Sequence, residues 1–343
     1  MLKAVSLGQK CGMKVSELCL GTMNFGVPGR GLHGDWTLTE DQAKPIFQAA
    51  FEHGLFYFDC ANNYGLGASE EVVGSILRSM FNRWEYVITT KVSYPMGPAP
   101  NLSGLTRKHI MEGIDSSLKR LGLDYVDQYI IHRHPHGIRD QTHVPIEETM
   151  EALHDVVKAG KALYLGASSM FTWQFVELQS IAKLNGWTEF VSMQNHYNLI
   201  YREEEREMIP YCKHTGIAIT PWSPLARGIL AGSYGKNLKE GKTERSSGRD
   251  SKRTASLYRG AADFKIADRV AKVAKKYDKK PGQIAIAWLT NKPEITAPII
   301  GVSKVDQLTE LAEATAILLD EEDVAYLEEL YQPVENLLSV GTS

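Results

Sequence analysis

The sequence predicts an α/β protein whose eight strand–helix units close into a parallel (β/α)8 TIM barrel, with an N-terminal β-hairpin cap and extra C-terminal helices. Three observations predict it. Short apolar, β-branched runs alternate with amphipathic helical patterns along the chain, the pattern of parallel strands covered by helices. The units number eight, which favours closure over an open sheet. No linker divides the chain, so residues 1–343 read as one domain; barrels of this kind run longer than the roughly 150 residues of an average domain.

The runs 5–7 and 13–15, either side of a turn at 8–12, form the hairpin, and 18–20 is the first barrel strand. Thr39-Glu40-Asp41-Gln42 is a capping-box start, followed at helical spacing by Ala43, Ile46, Phe47, Ala50 and Phe51 until Gly54. Strand 55–59 precedes a helix near 69–80, with Val72, Val73, Ile76, Leu77 and Met80 on one face. Strand 86–90 precedes a helix near 106–121 carrying Ile110, Ile114, Leu118 and Leu121. Strand 126–131 leads to a helix opened by Pro145 and closed at Gly160, positions that suit those residues. Strand 162–166 and helix 172–185 follow, then strand 190–194, a helix near 203–214 stopped by Gly216, and strand 217–222. A long polar segment, 225–261, interrupts the rhythm before helices near 262–277 and 281–291, strand 297–300, helix 304–316 and a final helix near 320–331.

Lys plus Arg number 38 against 41 for Asp plus Glu, a formal charge of -3, so no whole-chain basic field exists to hold nucleic acid. Cys11, Cys19, Cys60 and Cys212 show no paired or metal-type spacing and read as reduced thiols of a cytoplasmic protein. The first residues lack an apolar signal region and no apolar run approaches membrane-spanning length, so neither secretion nor a membrane partner is expected.

The chemistry is placed where strands end. Asp59 closes one buried run, Lys91 follows the next and His132 the one after, and Tyr64 stands five residues beyond Asp59. A carboxylate at the end of a buried strand needs a cation, and the loops beyond the carboxyl ends of barrel strands form active sites. Free tyrosine, with a pKa near 10, is a weak acid at neutral pH; a neighbouring ammonium favours tyrosinate and lowers that value. Asp59 would hold Lys91 charged, and His132 would orient a carbonyl oxygen and share the proton transfer to it. Singly, each residue has a structural explanation, as cap, loop aromatic, surface cation or satisfied buried histidine; at consecutive strand ends they form a proton-donating set.

Two other motifs carry different readings. The stretch from Gly29 to Gly34 matches G-x-G-x-x-G but starts well after strand one and opens no helix, so it reads as a glycine-rich substrate loop. His132, His134 and His136 offer an H-x-H, the start of a metal-dependent hydrolase site, yet Lys91 at the neighbouring strand end would repel a cation. No metal is expected. In the segment 236–253, Lys236, Lys239, Lys242, Arg245, Arg249, Lys252 and Arg253 outnumber Glu240, Glu244 and Asp250; it reads as a solvated loop, with a flap over cofactor phosphates as its functional reading.

Phe58-Asp59-Cys60-Ala61-Asn62-Asn63-Tyr64-Gly65, the run from Leu121 to His132, Gly166-Ala167-Ser168-Ser169 and Trp222-Ser223-Pro224-Leu225-Ala226-Arg227-Gly228 resemble the aldo-keto reductases. The resemblance covers nearly the whole chain and is to the branch with potassium-channel β-subunits, microbial aryl-alcohol-type reductases and fungal versiconal hemiacetal acetate reductases. It implies NADPH-dependent reduction of an aldehyde or ketone, with Tyr64 as general acid and Asp59, Lys91 and His132 completing a tetrad. It also implies Ser168 and Gln194 on the nicotinamide carboxamide, Trp222 stacked on the ring, and Ser223, Leu225 and Gly228 at the pyrophosphate. Gly301, Ser303, Lys304, Gln307 and Glu310 would take adenosine and its 2′-phosphate, with Arg253 reaching over from the flap. Thr22, Met23, Ser169 and Arg227 complete the implied cofactor set. Ser169 stands where the family commonly has Asn or a basic residue, and Leu311 where it commonly has Asn. The longer spacing from Lys91 to His132 implies extra loop around 96–104. Channel-subunit relatives bind the same cofactor while modulating a partner, so a regulatory subunit is the alternative, against which the intact tetrad argues. Met23, Phe25, Trp36, Tyr94, Pro95 and Tyr197 are expected pocket walls, which would suit an apolar or aromatic substrate.

Overall fold

The computed structural model describes residues 1–31, 36–136, 144–235, 237–241, 243, 250–258 and 261–334. The distal part of the glycine-rich stretch, including Gly34, and Lys236, Lys242, Glu244, Arg245 and Arg249 of the basic segment lie outside the described residues.

Strands β1 (Ala4–Ser6) and β2 (Lys14–Ser16) pair antiparallel with Val5 opposite Val15. The barrel strands are β3 (Cys19–Gly21), β4 (Tyr57–Asp59), β5 (Val87–Val92), β6 (Val126–Ile131), β7 (Ala162–Ser168), β8 (Phe190–Gln194), β9 (Ala218–Ile219) and β10 (Ile299–Ile300). They lie in the order β10-β3-β4-β5-β6-β7-β8-β9 and every pair is parallel. The two ends of that row meet. Trp222 bridges Ile299, and the amides of Thr296 and Ile299 donate to the carbonyls of Ile219 and Pro221 at 2.9 and 2.8 Å, which closes the barrel.

Around it run α1 (Glu40–Glu52), α2 (Ala68–Met80), α3 (Arg107–Leu121), α4 (Ile146–Lys158), α5 (Thr172–Asn185) and α6 (Met208–Thr215). Next come α7 (Asp250–Leu257), α8 (Ala261–Lys276), α9 (Pro281–Thr290), α10 (Val305–Glu313) and α11 (Glu321–Glu328). Their apolar stripes pack on the outside of the sheet: Ile46, Phe47, Val73, Ile76, Ile110, Ile114 and Leu153 are buried in one continuous core with Phe58, Ile88, Tyr129 and Leu165 of the strands. A second cluster fills the amino-terminal end of the barrel, where Leu7 and Val15 cover Cys19, Tyr57, Val87, Ala218 and Ile299. The hairpin is therefore a plug as well as a cap. Both ends of the chain's chemistry differ as a result: one mouth is sealed by apolar side chains, and the ionisable strand ends occupy the other.

Several elements depart from their expected bounds for identifiable reasons. β5 runs on to Val92, so Lys91 lies within the strand, and its side chain shares an inward face with Thr89 by the two-residue period. β7 runs on to Ser168, which pairs with Gln194. The stretch expected as one helix at 203–214 splits into a 3-10 turn, Glu203–Glu205, and α6, and the long segment after β9 contains α7. The extra loop near 96–104 folds back on itself, with the Met96 amide bonded to the Leu102 carbonyl at 2.8 Å and the Gly104 amide to the Ser93 carbonyl at 2.7 Å. All four cysteines are free thiols. Among the described residues no helix is long and apolar enough to cross a membrane.

α2 and α3 meet at Gly74, where a Cβ would stand 2.2 Å from the Leu121 carbonyl oxygen. Because the obstacle is backbone, Gly74→Ala should destabilise the protein by about 1–3 kcal/mol, read as a lower urea midpoint at unchanged slope.

Candidate active site at the carboxyl ends of the strands

The register of β4 against β5 places Asp59 opposite Thr89. The ladder then continues past the end of β4: the Cys60 amide donates to the Thr89 carbonyl at 2.9 Å and the Asn62 amide to that of Lys91 at 3.2 Å. The loop is thus stitched to β5 until it turns at Tyr64. Gly65, Leu66 and Gly67 have φ of 57°, 50° and 89°, a left-handed run that reverses the chain into α2 and leaves Tyr64 facing back over Lys91.

Lys91 is fully buried, and its Nζ donates to Asp59 Oδ2 at 2.6 Å, to the Cys60 carbonyl at 2.8 Å and to the Tyr64 hydroxyl at 3.1 Å. Asp59 Oδ1 accepts from Thr89 Oγ1 at 2.8 Å and from Gln194 Nε2 at 3.0 Å. Every ammonium proton and both carboxylate oxygens therefore have partners, the condition under which a buried ion pair is tolerated. Burial pulls the Lys91 ammonium toward neutrality, but the Asp59 carboxylate, with the hydrogen bonds to Asp59 and the Tyr64 hydroxyl, outweighs it and holds the group above its ordinary range.

The Tyr64 phenol differs from the expectation of a lowered pKa. Burial raises it, and Lys91, which pulls it down, does not fully offset that effect. Tyr64 is thus held as the protonated donor, with Lys91 limiting how far its acidity is lost. The His132 ring stands edge-on to Tyr64, with centroids 5.9 Å apart and planes at 77°. Burial, then the charges of Lys91 and Arg133, push its imidazolium well below the usual range, so His132 is neutral at physiological pH. It is suited to hydrogen bonding a carbonyl oxygen; its Nδ1 has no hydrogen-bond partner among the described residues.

The implied cofactor residues form a linked group at the ends of β7, β8 and β9. Trp222 Nε1 donates to Ser169 Oγ at 2.8 Å, and the hydroxyls of Ser168 and Ser169 donate to the Gln194 carbonyl at 3.0 and 3.4 Å. Gln194 Nε2 gives one N–H to Asp59, so its second N–H and the side-chain carbonyl remain to meet an amide. Two residues past Gln194, His196 stacks on Trp222 with centroids 4.1 Å apart and planes at 10°, and its other face stacks on Tyr201. His196 also shares a 2.7 Å hydrogen bond with Tyr258, which follows α7. After Trp222 the backbone curls through left-handed Ser223, Ala226 and Arg227 and through Gly228, with Arg227 Nε donating to Thr254 Oγ1. Leu225 is half-buried beside this turn. Gly301, Ser303, Lys304 and Gln307 are exposed, Lys304 caps the start of α10, and Arg253 is exposed on α7. A helix start carrying a lysine after the last barrel strand is a site for phosphate.

Other expected residues are employed elsewhere. Thr22 gives its hydroxyl to the Asp59 carbonyl at 3.0 Å and accepts Ser69 Oγ on its own carbonyl at 2.7 Å, so it locks β3 to β4. Gln307 Oε1 accepts from the Ser303 amide at 2.8 Å, and Glu310 is paired with Lys280. Met23 and Trp36 are half-buried, and Pro95 is exposed. Two expected pocket walls are not walls. Phe25 is buried against Phe47, and Tyr197 packs on Trp288 while its hydroxyl donates to Glu205. Each points into the helix layer, because alternate residues at a strand end face opposite sides. Sequence reasoning missed Thr89, which the two-residue period from Lys91 would have found, His196, which the same period from Gln194 would have found, and Tyr258, for which a polar segment offers no signal. Among the described residues no group of three or more His, Cys, Asp and Glu side chains is arranged to hold a metal.

The Asp59–Lys91 pair predicts its own test. Lys91→Met leaves a buried carboxylate without its cation and should cost roughly 3–5 kcal/mol in urea unfolding. Adding Asp59→Asn should restore part of that loss, and a double variant no more stable than Lys91→Met would show that the pair is not coupled as the geometry requires.

The sequence profile of the Aldo/keto reductase family matches residues 17–332. A Schizosaccharomyces pombe protein bearing the name aryl-alcohol dehydrogenase is 42% identical over 94% of this chain and 94% of its own. An aldo-keto reductase of Fusarium vanettenii is 40% identical, covering 94% and 90% of the two chains. A versiconal hemiacetal acetate reductase of Aspergillus parasiticus is 39% identical, covering 94% and 95%.

Proposed function

This chain belongs to the aldo/keto reductase family and is an oxidoreductase that reduces carbonyl groups; we propose that it converts an aldehyde or ketone to an alcohol with NADPH, Tyr64 supplying the proton. The observation that carries the reading is the bridge made by Lys91 Nζ, 2.6 Å from Asp59 and 3.1 Å from the Tyr64 hydroxyl. When bound, the reduced nicotinamide supplies the hydride. The residues fit such a group: Trp222 offers an aromatic face held by Ser169 and His196, and Ser168 and Gln194 offer polar atoms beside it. Ser223, Leu225, Arg227 and Gly228 would meet the pyrophosphate. Gly301, Ser303 and Lys304, with Arg253, would meet the adenosine end, with Gln307 and Glu310 supporting that loop. A Cβ at Gly301 would have no atom within 4 Å, so the backbone there is open to close approach.

His132 holds the carbonyl oxygen by a hydrogen bond while the Tyr64 hydroxyl transfers its proton to that oxygen. Lys91 stabilises the tyrosinate left behind, and Asp59 keeps Lys91 charged and pointed at it. Met23, Trp36 and Tyr94 form the wall against an apolar or aromatic substrate body. The chain works as one barrel domain in the cytoplasm, with the described residues 250–258 of the polar segment beside the cofactor.

Tyr64→Phe should lower kcat by roughly 100- to 10,000-fold in an assay of reduced-nicotinamide absorbance while the Kd for NADPH, from fluorescence titration, stays near the wild-type value. Loss of NADPH binding in this variant would count against the assignment. Lys304→Ala should weaken NADPH by about tenfold or more and NADH far less, since a charge-assisted contact to the 2′-phosphate is what it removes. Equal weakening of both cofactors would move that contact to another residue, Arg253 first.

A further inference from the structure

Beside the proton-donating set stands a cation that the reduction itself does not use. Arg133 follows His132 at the end of β6 and is half-buried. Its guanidinium lies over the Tyr94 ring, 5.4 Å from the centroid, and Tyr94 in turn meets the edge of the His132 ring at 4.8 Å. One of its nitrogens donates to the His132 carbonyl at 2.5 Å. Among the described residues it has no carboxylate partner, whereas Arg30, Arg83, Arg107, Arg120, Arg202, Arg206 and Arg269 are each paired with Asp or Glu. A guanidinium carries five N–H donors in a planar fork, so one bond to a carbonyl leaves most of the fork open.

Its position separates it from the cofactor phosphates. Phosphates on this fold gather beyond the last two barrel strands, and here the implied residues follow β9 and β10. Arg133 stands just beyond β6, next to His132. Its charge reaches both flanks of the site, since after burial it helps keep His132 and His196 neutral. The chain thus places a half-buried cation, without a carboxylate partner among the described residues, at the mouth where the carbonyl must enter, on an aromatic ring that an apolar substrate would also touch.

We propose that Arg133 is a specificity-determining residue that binds a carboxylate on the substrate, so that the favoured substrates are aldehydes or ketones carrying an acid group on an apolar or aromatic body. The inference rests on the reading of this site as a carbonyl reductase. A carboxylate accepts two parallel N–H bonds from the guanidinium fork, the body lies on Tyr94, and the carbonyl is left toward His132 and Tyr64. A neutral substrate of the same shape would leave the fork without its acceptor.

The test compares 4-formylbenzoate with its methyl ester as substrates under NADPH. Wild-type kcat/KM should favour the acid by about tenfold or more, mainly through KM. Arg133→Met should bring that ratio toward one, and Arg133→Lys should keep part of it; NADPH fluorescence titration verifies that each variant is folded. Calorimetry of the NADP+-loaded protein with 4-(hydroxymethyl)benzoate should show binding that Arg133→Met weakens by a similar factor. Equal turnover of acid and ester by the wild type, or an acid preference retained in Arg133→Met, would overturn the inference and leave the reductase reading standing. No turnover of either aldehyde, with carboxylate binding that Arg133→Met abolishes, would leave Arg133 a carboxylate receptor but overturn the reductase reading, and with it the role in carbonyl specificity. Absence of both turnover and binding would overturn the two together.

Discussion

The buried pair of Lys91 and Asp59 is the constraint from which the rest of the site follows. Two charges taken out of water are costly, and their attraction offsets the cost only when the remaining protons and lone pairs are also satisfied. Here Thr89, Gln194, the Cys60 carbonyl and Tyr64 provide those partners. Each comes from a different place in the fold, so the pair is stable only if β4, β5, β8 and the loop after β4 are all in register. That requirement fixes the Tyr64 hydroxyl beside an ammonium, which is the geometry a proton donor needs. The same low-dielectric surroundings that make the pair demanding also keep His132 neutral and Tyr64 protonated.

Two aromatic groups flank this centre and divide its work. On one side His132, Tyr94 and the Arg133 guanidinium stand in succession, a route from the proton donor outward to the solvent mouth. On the other, Trp222 ends a stack in which His196 lies between it and Tyr201, and Tyr258 ties that stack to the segment after β9. Rings held by neighbours on one face lose little entropy when a planar group meets the other. Tyr258, in the described part of the long polar segment, is buried and bonded to the His196 that supports Trp222.

Much of the fold was legible because its signals are local. The apolar period of two in the strands and 3.6 in the helices placed nearly every element, and the capping box at Thr39 and the glycines at 54, 160 and 216 marked the ends. That Asp59, Lys91 and His132 gather at one mouth was legible for a similar reason: an ionisable residue at the end of an apolar strand is conspicuous. What was not legible depended on how faces turn. Phe25 and Tyr197 looked like pocket walls, but one position along a strand end reverses the side to which a residue points. That the Thr22 hydroxyl is engaged within the β3–β4 junction was likewise visible only in three dimensions.

Sequence by itself determined the barrel and the residue types at the strand ends, because periodicity, turn chemistry and the run of ionisable residues are properties of the chain read in order. Tertiary structure alone decided the direction in which those residues are tuned. Whether Tyr64 is more or less acidic than free tyrosine is set by the balance of burial against the Lys91 charge, and burial prevails. Whether Arg133 is a paired surface cation or an open anion receptor depends on which carboxylates the fold brings near it. Both are sums over neighbours distant in sequence, and no local pattern contains them.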